Sequence, residues 1–116
     1  MKEPIVIAPS RMTFSIVNTG AHIVRVAICG RLDVSMVGVF RRELTNLLRI
    51  HPACVEVDMS RLRFIDTAGV DLLLSFFKDL SSQGGVSVLR GLRAQPLDSF
   101  KAIMLEAVRA TSGPVN

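Results

Sequence analysis

Between Met12 and Leu89 the apolar residues change their spacing from every second position to every third or fourth and back, and this alternation constrains the fold more than any other feature. Met12, Phe14 and Ile16 alternate with polar neighbours, Asn18, Thr19 and Gly20 supply turn chemistry, and Val24, Val26 and Ile28 resume the alternation up to Cys29. A β-hairpin is predicted there. Gly30, Arg31, Leu32 and Asp33 interrupt the pattern. Val37, Phe40, Leu44, Leu47 and Leu48 then step by threes and fours, the apolar face of an amphipathic helix over about residues 34–50, capped by Asp33 or Ser35. His51 and Pro52 end that helix, and Val55, Val57 and Met59 restore the period of two in a strand over residues 53–59 that closes on Ser60, Arg61, Leu62 and Arg63.

From Ala68 to Leu80 the polar residues Asp71, Ser75, Lys78 and Asp79 form one narrow stripe and the rest is apolar, so this helix is predicted to be buried over most of its circumference. Residues 81–85 stop it and residues 86–89 form a short strand. Pro96 opens a third helix with Leu97, Phe100, Met104 and Ala107 at helical spacing. Residues 1–10 and 111–116 are predicted to be frayed. A hairpin followed by alternating strands and helices is an α/β pattern. It predicts a single domain over residues 1–116 with a mixed, mostly parallel sheet of four to five strands and three to four helices. Parallel strands joined by right-handed crossovers gather residues 30–35, 60–67 and 90–95 at one end of the sheet, the end where ligands and partners bind in such folds.

Composition narrows the function. With 49% hydrophobic residues in 116 the chain can bury a core without a staple. Cys29 and Cys54 sit in apolar stretches with no second ligand at metal spacing, so neither a disulfide framework nor a metal site is predicted, and a reducing cytoplasmic location fits. The two strands that carry these cysteines are candidate neighbours, which leaves a redox pair and two inert thiols as alternatives. No apolar run has the length of a membrane span, and residues 1–9 are too short for a signal peptide. The net charge of +4 raises nucleic acid as a partner, but only 5% of residues are aromatic, all of them Phe, and no basic run exceeds Arg41–Arg42. His22 and His51 stand alone and no phosphate-binding or nucleophile motif occurs, so neither catalysis nor a cofactor is predicted.

The stretch Asp58-Met-Ser-Arg-Leu-Arg-Phe-Ile-Asp66-Thr67-Ala68-Gly69-Val70 resembles the signature of the STAS domain family, the anti-sigma-factor antagonists and their relatives. There a strand with a D-L-S-like end precedes F-[IM]-D-[ST]-[SA]-G at a helix start. Gly30-Arg31-Leu32-Asp33 matches the family's G-x-L-D before its first helix, and Gln83-Gly84-Gly85 its turn into a short strand, so the resemblance covers about residues 12–105. It implies a STAS-like single domain switched by phosphorylation of the hydroxyl residue after the signature aspartate, here Thr67. A helix start favours an added dianion while Asp66 next to it repels one, which gives the implied switch a physical basis. Helix capping alone is the other reading of Asp66 and Thr67.

The resemblance further implies that Asp33, Asp66, Thr67, Ala68 and Gly69 contact a partner kinase. Asp33 is equally readable as an N-cap, and Gly69 as the site of a close helix contact. Arg31 and Arg63 belong to a group of five arginines, with Arg61, Arg90 and Arg93, that the three loops bring to the same end and that suits an acidic partner. Leu72 and Phe76 border the polar stripe of the second helix, as a partner-binding ridge or as core. The implied partner is an anti-sigma factor with serine/threonine kinase activity, without nucleic acid or membrane insertion, and a homodimer is left open. The alternative implied function is a small cytoplasmic subunit of an ABC-type lipid transporter, bound to its ATPase. Thr67 stands where the family more often has Ser, Ala68 replaces a second Ser, and Met104-Leu105 stands in place of the family's helix-ending Gly-Leu, so that the comparison implies a last strand reduced to about residues 107–109 with no helix after it.

Overall fold

In a computed structural model, which describes residues 12–19 and 22–112, four strands and three helices follow one another as β1 (Thr13–Asn18), β2 (Ile23–Leu32), α1 (Val34–Arg49), β3 (Cys54–Ile65), α2 (Thr67–Ser82), β4 (Val86–Arg90) and α3 (Ala94–Ser112). The sheet order is β1-β2-β3-β4. β1 runs antiparallel to β2, and β2, β3 and β4 are mutually parallel, so the sheet is mixed at one edge as the pattern predicts. The turn residue Gly20 and residues 1–10 and 113–116 of the segments expected to fray lie outside the described residues, whereas residues 111–112, also expected to fray, are the end of α3.

Alternation along the strands fixes two faces. Val24, Val26 and Ile28 of β2 and Val55, Val57 and Met59 of β3 are fully buried in one cluster with Phe40 and Leu44 of α1, Leu73, Phe76 and Leu80 of α2 and Phe100 of α3. Phe14 anchors β1 to this side, its ring centroid 5.0 Å from that of Phe40. The opposite face carries Arg25, Ala27, Glu56, Asp58 and Arg90, all partly or fully exposed. There Glu56 lies 3.0 Å from the Arg25 Nε and 3.5 Å from the Arg90 Nε.

Two expectations need correction, and one of two alternatives is removed. β2 does not stop at Cys29 nor β3 at Met59: Cys29 pairs with Arg61, Gly30 with Leu62, Arg31 with Phe64 and Leu32 with Ile65. Much of what reads as loop at 30–35 and 60–67 is therefore strand. On β2 the buried alternation runs on through Leu32 with Gly30 at one of its inward positions, while on β3 it is broken because the register shifts twice, opposite Ala27/Cys29 and opposite Gly30/Arg31, leaving extra residues there. Gly30 takes φ 91°, which a side chain would resist. Residues 107–109 are not a strand, because α3 continues through Ser112. Cys29 and Cys54 do lie on adjacent strands, but Cys54 pairs with Ile23, six positions before Cys29. At about 3.3 Å per residue that is roughly 20 Å, far beyond disulfide reach.

Candidate functional site

Leu32 and Ile65 are partners at the ends of β2 and β3, and after each the chain turns at one aspartate into a helix. Asp33 caps α1, its Oδ1 accepting from the Ser35 N–H at 3.1 Å and the Ser35 hydroxyl at 2.6 Å. Asp66 caps α2, its Oδ1 accepting from the Gly69 N–H at 2.9 Å. The second Asp66 oxygen does not face solvent alone: Oδ2 accepts from the Val34 N–H, the first residue of α1, at 3.0 Å. One carboxylate thus joins the positive ends of two helices. The Asp66 N–H in turn donates to the Leu32 carbonyl at 3.2 Å.

Thr67 is the first residue of α2 and is exposed beside this joint; Ala68 is half-buried and Gly69 buried. Gly69 allows the close approach of α2 to the strand ends. A Cβ at that position would lie 2.7 Å from Ile65 Cγ1 and 2.8 Å from the Leu32 carbonyl oxygen.

The five arginines do not form an unattached rim. Arg31 lies over the Phe64 ring, 4.0 Å from its centroid, and 3.9 Å from Asp33. Arg90 is engaged with Glu56, and Arg93 Nη2 donates to the Ser60 carbonyl at 3.0 Å. Arg61 and Arg63 are exposed on the distal part of β3. Leu72 and Phe76 are each only 3% exposed and belong to the core, so neither stands out as a surface ridge next to Thr67.

Gln95 completes the site and was not legible in the sequence. β4 reaches only as far as Asp58 on β3, which leaves the edge of β3 beyond it unpaired by a strand. The Gln95 amide pairs there as a strand would: its Oε1 accepts from the Ile65 N–H and its Nε2 donates to the Ile65 carbonyl, both at 2.9 Å. Ser99 accepts from the same Nε2 at 2.8 Å. The junction before Thr67 is therefore held from α1 by the Asp66 bond and from α3 by Gln95. A Gln at the start of a helix after a short strand carries no signal that it will cap a distant strand edge.

Two carboxylates titrate low, Asp33 at this end and Asp58 within β3 on the open face of the sheet. The Ser35 hydroxyl and N–H hold Asp33 below the ordinary aspartate value of 3.8, and the Ser60 N–H does the same for Asp58. A group with a lower pKa folded than unfolded binds fewer protons in the folded state, so it stabilises above 3.8 and the contribution fades as pH falls through the folded value. The urea midpoint is expected to drop on acidification below about pH 5. The Asp33→Asn plus Asp58→Asn variant is expected to flatten that decline, and an equally steep profile in the variant would refute the assignment.

A groove of about 500 Å³ opens on the other side of the sheet, lined by Ser15, Val17, Arg25, Glu56, Asp58 and Arg90. Of the signature stretch it contains only Asp58, and neither Asp66 nor Thr67.

Solved structures with this fold include an anti-sigma factor antagonist from Mycobacterium paratuberculosis, at 19% identity and TM-score 0.67, covering 90% of this chain and 85% of that one. SpoIIAA, an anti-sigma factor antagonist, is similar in its unphosphorylated form at 21% identity and TM-score 0.66, covering 88% and 100%. The phosphorylated form of this Bacillus cell fate determinant is similar at 22% identity and TM-score 0.61, covering 87% and 84%. At these identities the likeness shows the fold. No curated protein sequence matches the chain. The STAS domain family model matches residues 16–111, which span both aspartate-capped helices and the Gln95 brace. The chain belongs to the STAS domain family.

Proposed function

We propose that this protein is a non-enzymatic, cytoplasmic anti-sigma-factor antagonist in a bacterial partner-switching system. The observation that carries the reading is the exposed Thr67 at the first position of α2, directly after the aspartate that joins two helix ends. The partner is an anti-sigma factor with serine/threonine kinase activity. It moves the γ-phosphoryl group of ATP to Thr67 Oγ1, the hydroxyl proton leaves to a base on the kinase, and ADP departs. The product carries about −1.5 to −2 additional charge. First-turn N–H groups have no acceptor within the helix and so tolerate the phosphate. Asp66 cannot swing away without giving up the Val34 and Gly69 bonds, so the new charge stands beside a fixed carboxylate. A surface that fits the partner with a neutral Thr67 then repels it. Asp33 and the half-buried Ala68 flank that surface, and the Phe64-stacked Arg31, 3.9 Å from Asp33, supplies positive charge beside it.

Affinity capture from bacterial cells tests the reading, with wild type, Thr67→Ala and Thr67→Glu as baits. Wild type and Thr67→Ala are expected to retain a histidine-kinase-like ATPase that Thr67→Glu loses by at least about tenfold, or 1.4 kcal/mol. Retention of an ABC-type ATPase by all three baits would replace this reading with that of a lipid-transporter subunit.

A further inference from the structure

The sheet has two outer edges, and they are treated very differently. β4 is five residues long and ends in Arg90, whose guanidinium is held on Glu56 of the neighbouring strand. β1 is six residues long, and its register with β2 runs from Thr13↔Cys29 to Asn18↔Val24 without a shift. Among the described residues none pairs with its other edge. Exposed edges are normally protected from further pairing by charges, proline or bulges. β1 has none of these: the 13 residues from Met12 to Val24 are the longest run in the chain without Asp, Glu, Lys or Arg.

A neutral strand offers nothing to select a charged partner, but it fits itself. We propose that the outer edge of β1 pairs antiparallel with β1 of a second copy of this chain, joining two four-stranded sheets into one of eight strands. In such a two-fold pair, opposite residues lie on the same face, so the axis passes through a residue rather than between two. With Ser15 on the axis, Phe14 stands opposite Ile16 of the second copy, and Thr13 opposite Val17. Phe14 and Ile16 are both half-buried on the helix-bearing side and packed against the core, so their pairing extends it. Val17, 55% exposed on the open side, gains cover, and no like charges meet. The inference does not depend on the reading of Thr67.

Sedimentation velocity on the full chain from about 10 to 500 µM, a range that resolves dissociation constants of weak dimers, tests it. Wild type is expected to approach twice the monomer mass of 12.7 kDa as concentration rises. Ser15→Lys places two ammonium groups on the axis at an exposed position and is expected to weaken association at least tenfold, with an unchanged melting temperature. Val17→Lys serves as a second variant if Ser15→Lys melts earlier. A wild type that stays at the monomer mass throughout, or a dimer that neither lysine weakens, overturns the proposal.

Discussion

Gly69→Ala is expected to destabilise the protein by about 2 kcal/mol, the cost of forcing atoms into a packed interior. Helix propensity alone argues the other way, since alanine is favoured over glycine within a helix by about 1 kcal/mol. Geometry decides the sign. The added Cβ would meet the Leu32 carbonyl oxygen at 2.8 Å, and that atom is backbone and accepts from the Asp66 N–H. It cannot give way without disturbing the joint between β2 and α2. Gly38 is the internal control, because a Cβ there meets nothing within 4 Å. Gly38→Ala is therefore expected to stabilise by about 1 kcal/mol. Urea unfolding of the two variants checks the pair, and destabilisation of equal size in both would show that the close approach at Gly69 is not what sets the cost.

Asp66→Ala is expected to lower stability by about 2 kcal/mol, because one side chain satisfies donors at the starts of two helices and each charged bond contributes about 1 kcal/mol or more. For a domain of this size that corresponds to a drop of roughly 8 °C in melting temperature. Asp66→Asn is expected to fall about halfway. Its single oxygen can serve Val34 or Gly69, and the amide nitrogen then faces a donor. Thermal unfolding followed by circular dichroism reads the series. An Asp66→Asn protein as stable as wild type would mean that the bond to α1 contributes nothing.

The elements most legible in the sequence are those whose burial follows a single period. The helix over 34–50 is found as Val34–Arg49, and the polar stripe of Asp71, Ser75, Lys78 and Asp79 is exposed as read. The distal half of β2 was not legible because Gly30 stands at a buried position where an apolar side chain would mark the strand, and that of β3 because extra residues at two register shifts break its alternation. Leu72 and Phe76 illustrate a different limit. A helix that packs on the sheet and on α1 at once buries residues at the margin of its polar stripe, and spacing within one helix carries no information about the second neighbour. The signature brought Asp66, Thr67 and Gly69 into view, but the Asp66 bond to Val34 and the Gln95 brace on Ile65 each span about thirty residues and exist only in the folded chain.

The most direct measurement is to incubate the protein with its captured kinase partner and ATP, map phosphate by tandem mass spectrometry, and titrate the modified and unmodified forms against that partner. One phosphate on Thr67, none on the Thr67→Ala variant, and at least tenfold weaker binding of the phosphorylated form are predicted. Binding without any modification at Thr67, or modification at Thr67 that leaves the affinity unchanged, would contradict the switch.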